Sequence, residues 1–197
     1  MEFITKILIM AVSAIFIHNF ILAKFLGLCP YLGVSKKLDS ALGMGMAVVF
    51  VMTMSSAFTW IIDHYLLIPY NLSYLQTISF ILAIAVLVQF VEMIIQKSAP
   101  TLYKSLGVYL PLMSTNCAIL GVAIMNKADN LGFIESVLQG FFSGVGFILV
   151  LLLMAGIRER LERSDIPPAM IGMPIALIIA GCMALAFLGF AGFRYGG

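Results

Sequence analysis

The chain has 197 residues, of which 62% are hydrophobic and only 10% are charged. Soluble globular proteins carry about 25% charged residues, so this composition excludes an ordinary soluble domain. The formal net charge of +2 gives no indication of a nucleic acid partner.

Six apolar segments follow one another along the chain, separated by short loops with charged or turn-forming residues. Each is close to the roughly 20 residues that a helix needs to cross about 30 Å of hydrocarbon. The sequence therefore predicts an all-α integral membrane protein with six transmembrane helices in a single membrane domain, residues 1–197. The loops are too short for a nucleotide, flavin or protease domain. The segments cover residues 4–28, 41–62, 74–95, 102–125, 133–157 and 171–193.

Lysine and arginine concentrate in every second loop, and such loops face the cytoplasm by the positive-inside rule. The loops that carry Asp63 and Lys127 are then on the opposite side. Both termini are predicted outside the cytoplasm. The first segment is too long for the apolar part of a cleaved signal peptide, so we interpret it as a retained helix.

Two sequence matches indicate an internal repeat. Residues 29–34 and 117–122 share the pattern Cys-x-x-Leu-Gly-Val, and residues 39–42 align with 135–138. We place the first repeat in 1–98 and the second in 99–197. Because each repeat has three spans, the second copy is inverted relative to the first.

Inverted repeats often meet near the middle of the bilayer through broken helices. Pro30 directly follows Cys29, and Pro111 lies six residues before Cys117. Because proline lacks a backbone N–H, these positions predict breaks in the first and fourth helices. We therefore expect Cys29 and Cys117 to face the same point inside the membrane.

Two thiols at one point could form a disulfide, bind a soft metal or an iron–sulfur cluster, or simply pack. Equivalent positions in the repeat favour a ligand role for Cys29 and Cys117, whereas Cys182 is interpreted as packing. A [2Fe-2S] cluster usually has four thiolate ligands. Either Cys182 and a non-cysteine ligand complete the set, or a related partner chain supplies the other pair, which is the simpler solution.

Longer motifs carry a resemblance to a known family. They are residues 24–37 (KFLGLCPYLGVSKK), 89–93 (QFVEM), 110–118 (LPLMSTNCA), and 158–160 (RER) before 165–167 (DIP). In these motifs, and over essentially its whole length, the chain resembles the A-subunit family of the Rnf ion-translocating electron transport complex, a ferredoxin:NAD oxidoreductase. The superfamily is shared with membrane subunits of the sodium-pumping NADH:quinone reductase, but Cys29-Pro30 and residues 43–46 are more similar to the Rnf member.

The resemblance implies a membrane component, not catalytic alone, of a complex in the bacterial inner membrane that couples electron transfer to sodium or proton translocation. It implies pairing with the paralogous Rnf E subunit in opposite orientation, with Cys29 and Cys117 holding half of an intramembrane [2Fe-2S] cluster. FMN, NAD and further iron–sulfur clusters are expected on other subunits. The alternatives are the equivalent component of the quinone reductase, a small inverted-repeat secondary transporter, or a scaffold for flavin-bearing subunits.

Other polar residues have weaker interpretations. Lys24 could extend to an interface or balance the charge of a reduced cluster, and Asn19 could hydrogen-bond between helices. Glu92 is interpreted as a solvated partner of Lys97, with an ion path as the alternative. Asn116 could donate a hydrogen bond to a sulfur of the iron–sulfur cluster.

The group of arginines at 158–163 is assigned to topology, with docking of a cytoplasmic partner as the alternative. Close helix contact is assigned to Gly43, Gly45, Gly140, Gly144 and Gly146.

Overall fold

The computed structural model describes residues 2–35, 38–70, 73–98, 115–164, 167 and 170–191. Within these ranges every regular element is helical and none is a strand, which confirms the predicted all-α class. Two π-helical turns, Ser13–Ile17 and Asp63–Leu67, and a 3-10 turn, Ser73–Leu75, accompany the α-helices. The α-helices are α1 Glu2–Val12, α2 Phe20–Lys24, α3 Leu28–Val34, α4 Leu38–Ile62, α5 Ile68–Tyr70, α6 Gln76–Ser98, α7 Cys117–Ala128, α8 Phe133–Leu161 and α9 Met173–Ala191.

Three stretches of helix in the described residues are long and apolar enough to cross a membrane. They are Leu38–Tyr70, Gln76–Ile94 and Phe133–Leu161, and they correspond to the second, third and fifth predicted segments. Shorter apolar helices represent parts of the other three segments, so six continuous spans stay a prediction. The break predicted at Pro111 lies outside the described residues.

The first segment is broken twice instead of running as one helix over residues 4–28. The helical hydrogen bonds stop after the π-helical turn Ser13–Ile17, before Asn19. Helix α2 then ends at Lys24, and Phe25, which follows it, has a φ of 55°. A broken helix was predicted, but Pro30 was the wrong position for it. Pro30 is the third residue of α3, where a backbone N–H would have no helical acceptor to lose.

Helices α4 and α8 form the centre of the protein and pack antiparallel on each other. A Cβ built on Gly144 would lie only 2.8 Å from Cα of Val49. Gly45 approaches the side chain of Ile148, and Gly140 approaches the backbone of α4. The prediction of close helix contact is confirmed for these three glycines, because only a small residue lets the two helices come so near.

The position of this crossing agrees with the predicted inverted repeat. The spacing of 96 residues between Asp39 and Glu135 makes Val48 equivalent to Gly144. A two-fold axis relating the two halves would pass between α4 and α8 where a residue and its equivalent lie at the same height. The contact between Val49 and Gly144 lies within one residue of such a pair. Any two antiparallel helices have a level of this kind, so the repeat stays a prediction.

The outward faces of α6 and α9 are apolar. Leu82 of α6 and Leu185 of α9 are 67% and 73% exposed in the isolated chain. Broad apolar faces of this kind are rare on soluble proteins, but they suit contact with lipid or with neighbouring membrane subunits. They therefore support the location of the chain in a membrane.

We expect Gly144→Ala to destabilise the protein by about 1–3 kcal/mol, because the added methyl group would press on the backbone of Val49 in an already packed interface. Gly156→Ala in the same helix is the matched control, since no described atom beyond its own stretch of helix lies within 4 Å of its Cβ position. Thermal denaturation in detergent measures both variants. Equal melting temperatures would contradict the close packing of α4 on α8.

Candidate functional site

Asn19 holds the first break of segment one against α8. Its Oδ1 accepts a hydrogen bond from the backbone N–H of Ile21 at 3.2 Å, which caps α2. Its Nδ2 donates to the carbonyl oxygens of Ile15 at 3.0 Å and Gly146 at 2.9 Å. Backbone that leaves the helical ladder at membrane depth needs such internal partners. The prediction that Asn19 hydrogen-bonds between helices is confirmed.

The second break is a tight turn that ends at Gly27. This residue has a φ of 82°, a backbone conformation that glycine adopts far more easily than other residues. A Cβ at Gly27 would lie 3.0 Å from Cε2 of Phe147 and 3.1 Å from Cβ of Ala118. The turn therefore packs directly on α8 and on the first residues of α7, and both the backbone and the space favour glycine.

The same turn brings the two predicted ligand cysteines to one junction. The backbone N–H of Gly27 donates a hydrogen bond to Sγ of Cys117 at 2.9 Å. Cys117 is the first residue of α7, and Cys29 is the second residue of α3. Because successive Cα atoms are 3.8 Å apart, Cα of Cys29 lies within about 7.6 Å of Cα of Gly27. Both residues therefore lie close to the Gly27 turn, and the convergence of their two thiols on one point stays a prediction.

All three cysteines are free thiols and all are exposed. In this structure Cys29 and Cys117 are therefore neither joined as a disulfide nor buried as packing, although both arrangements were open from the sequence. Cys182 lies on the exposed surface of α9, so its interpretation as core packing was wrong.

Cys29 and Cys117 are not accompanied by further metal ligands in the part of the chain that the structure describes. In the described ranges, no group of three or more histidine, cysteine, aspartate or glutamate side chains could hold a metal ion. Cys182 and a non-cysteine ligand therefore do not complete a site around Cys29 and Cys117 within that part of the chain.

Asn116 precedes Cys117 and shapes the start of α7. Its Oδ1 accepts a hydrogen bond from the backbone N–H of Ala118 at 3.0 Å and so caps the helix. The side chain is only 4% exposed, and its Nδ2 has no hydrogen-bond partner in the described part of the protein. Buried donors are normally paired. A free donor next to Cys117 therefore suits an acceptor that a bound group would bring.

Lys24 contacts α7 at a distance from Cys117. Its Nζ lies 3.0 Å from Sδ of Met125, and the side chain is exposed. Met125 follows Cys117 by eight residues, which corresponds to about 12 Å along the helix axis. The ammonium group is thus two turns from Cys117. Any influence on that junction would act through its charge and not through contact.

Arg158 of α8 binds the C-terminal end of the short helix that carries Cys29. Its Nη1 donates to the carbonyl oxygen of Leu32 and to Oγ of Ser35, both at 2.9 Å. The last carbonyls of a helix have no partner within the helix, so this guanidinium satisfies one of them. The sequence assigned this arginine to topology or docking, and its structural role was missed.

Glu92 does not form the ion pair suggested by its spacing from Lys97. The residue is half-buried in α6 and makes no salt bridge with any described side chain. The prediction of a Glu92–Lys97 pair was therefore wrong for this structure. The alternative, an ion path, stays a prediction.

Comparison with known proteins places the chain in a family of membrane proteins. The family model described as "Rnf-Nqr subunit, membrane protein" matches residues 7–194. The A subunit of the Na(+)-translocating ferredoxin:NAD(+) oxidoreductase complex of Acetobacterium woodii is 57% identical over 98% of this chain and 100% of its own length. The A subunits of the ion-translocating oxidoreductase complexes of Azoarcus sp. and Aeromonas salmonicida are 56% and 54% identical, over 94% and 95% of this chain and 96% and 97% of their own lengths.

We expect Gly27→Ala to lower the stability of the protein by about 1–2 kcal/mol, because alanine is strained in the left-handed backbone conformation of this residue. Crowding of the added methyl group against α7 and α8 should lower the stability further. Gly172→Ala separates the two effects, because Gly172 also has a positive φ, 104°, but no neighbouring atom of the described residues lies within 4 Å of its Cβ position. Thermal denaturation in detergent should show the larger loss for Gly27→Ala. A larger loss for Gly172→Ala would show that the turn does not pack as described.

Arg158→Gln should destabilise the protein by about 1.5–3 kcal/mol, the usual worth of a hydrogen bond to a charged group. Arg160→Gln is the control, because it removes the same charge from an exposed side chain two residues away. Both variants are compared by thermal denaturation and by membrane topology mapping. If the two variants behave alike, Arg158 contributes only to topology and the anchoring of α3 is refuted.

Proposed function

This chain is a member of the Rnf-Nqr family of membrane subunits, and we propose that it is the A subunit of an Rnf-type, ion-translocating ferredoxin:NAD oxidoreductase complex. It works as part of that complex and is not catalytic alone. The observation that carries the proposal is the pair of exposed thiols, Cys29 and Cys117, which the Gly27 turn brings to one junction.

Cys29 and Cys117 would supply two of the four thiolates of an intramembrane [2Fe-2S] cluster. The paralogous Rnf E subunit, in the opposite orientation, would supply the other two and would cover the exposed junction. The support in this chain is chemical, because two accessible thiols and no further ligand in the described residues fit half of such a site.

The neighbours of Cys117 are suited to a sulfur ligand whose charge changes. When bound, the cluster would carry one electron at a time through the low-dielectric interior of the membrane. The N–H of Gly27 already donates to the sulfur of Cys117, and the preceding residue, Asn116, has a buried Nδ2 without a partner among the described residues. Hydrogen bonds to cluster sulfurs help to set the reduction potential. These two groups would therefore favour the reduced state.

Translocation of sodium or protons would be coupled through charge. An added electron at the junction is costly in a medium of low dielectric constant unless a cation approaches. Lys24 supplies one fixed positive charge about two helical turns away, and the transported ion would supply the other.

FMN, NAD and further iron–sulfur clusters belong to other subunits of the complex. The chain lies in the bacterial inner membrane as a multi-pass protein, with both termini on the extracytoplasmic side.

The alternatives differ in what they require of the cysteines. A secondary transporter or a scaffold has no use for two exposed thiols at one junction, so this arrangement favours the redox function. The equivalent component of a sodium-pumping NADH:quinone reductase would use them in the same way. The full-length similarity to a relative named as part of a ferredoxin:NAD oxidoreductase favours the Rnf type.

The test uses the purified complex with Cys29→Ser, Cys117→Ser or Cys182→Ser. After reduction with dithionite, electron paramagnetic resonance and iron quantitation should show the loss of one [2Fe-2S] signal and about two irons in the first two variants. Cys182→Ser is the matched control and should retain both. An unchanged signal and iron content in Cys29→Ser and Cys117→Ser complexes would refute the ligand assignment and leave a transporter-like or scaffolding role.

A further inference from the structure

A polar cavity lies at the end of α7 opposite Cys117. It has a volume of about 290 Å³ and lies between the ends of α4 and α7 and the start of α8. Asn126 in its wall follows Cys117 by nine residues, or about 14 Å along the helix axis. The distribution of positive charge predicts that this end of the helices faces the extracytoplasmic side. The cavity is therefore separate from the cysteine junction.

Two side chains in the cavity wall have oxygen atoms without partners. Oδ1 of Asn126 and Oγ of Ser136 accept no hydrogen bond from any described residue, and the two residues are only 6% and 0% exposed. Nδ2 of Asn126 is already occupied, because it donates to the carbonyl oxygen of Ser136 at 3.2 Å. The unsatisfied atom of Asn126 is thus an acceptor. Buried acceptors are costly to leave unpaired, so this wall suits a cation or a donor.

The same cavity contains an ion pair between the Asp63 carboxylate and the Lys127 ammonium. The side chain of Asp63 is 13% exposed and that of Lys127 is 27% exposed. Lys127 lies in the last turn of α7, and its flexible four-carbon stem lets the ammonium move outward while the helix stays in place. The ammonium therefore occupies the position beside Asp63 that a free cation would take.

The geometry points to a binding site for a monovalent metal cation, with Asp63, Asn126 and Ser136 as oxygen ligands and Lys127 as a tethered competitor. Hard cations bind carboxylate, amide and hydroxyl oxygens. An anion would be repelled by Asp63 and would meet the unpaired acceptor of Asn126. The choice of sodium as the test ion rests on the function proposed above, whereas the site itself does not.

The tethered competitor gives the site a distinctive response to substitution. Cation binding requires the state in which Lys127 has left Asp63, and the apparent affinity falls with the fraction of protein in that state. Lys127→Gln should therefore tighten sodium binding, by about tenfold or more if the pair is closed at least 90% of the time. Asp63→Asn should abolish binding at this site. An ion pair with only a structural role would not produce changes of opposite sign.

The experiment measures binding of radioactive sodium to the purified, oxidised complex, with choline chloride keeping the ionic strength constant. The complex with Ser136→Ala or Asp63→Asn should bind one sodium ion fewer than the native complex. Ser143→Ala is the matched control, because Oγ of Ser143 is also buried and unpaired among the described residues but is not in the cavity wall. It should bind sodium like the native complex.

The proposal would be overturned if the Ser136→Ala and Asp63→Asn complexes bound as many sodium ions as the native complex, with the same affinity. It would also be overturned if choline displaced the bound radioactive sodium as well as unlabelled sodium does. If Ser136→Ala does not assemble, the double variant Asp63→Asn/Lys127→Gln conserves the net charge and should still lose the site. The outcome is distinguishable from that of the cysteine test. Sodium is measured on the oxidised complex, whereas the cysteine variants are judged by the resonance signal and iron content.

Discussion

The broken first segment depends on hydrogen bonds from side chains that satisfy its free backbone groups. A membrane interior has no water to do so, and each unsatisfied N–H or C=O would cost several kcal/mol. Asn19 serves the first break, Cys117 accepts the N–H of Gly27 at the second, and Arg158 binds the end of α3. Two of these three groups come from the second half of the chain. The site and the fold therefore stabilise each other.

The close antiparallel pair of α4 and α8 provides the rigid frame for this arrangement. Gly144 contacts Val49 near the position where the axis of the predicted repeat would pass. Both halves of the chain can therefore pack around the same contact. Phe147 of α8 supports the Gly27 turn from this frame. Because α8 reaches both the turn and Ser35 near the end of α3, it fixes the position of Cys29 from two sides.

Helix α7 runs from the cysteine junction to the polar cavity. Cys117 begins it, and Lys127 lies in its last turn beside the polar cavity. A cluster at one end and a cation at the other would be about half a membrane thickness apart. At that distance in a medium of low dielectric constant, two charges still interact appreciably. Electron and ion could thus influence each other without sharing ligands.

The sequence by itself determined the class and predicted the chemistry, because composition, segment length and the repeated Cys-x-x-Leu-Gly-Val pattern can be read directly along the chain. It predicted a helical membrane protein with paired thiols at Cys29 and Cys117. The tertiary structure decided where the first helix breaks and what satisfies the break. Pro30 marked the wrong position, and the roles of Gly27 and Arg158 were missed, because their partners lie 90 and more residues away. No local pattern encodes a hydrogen bond over such a separation, so only the folded chain can show it.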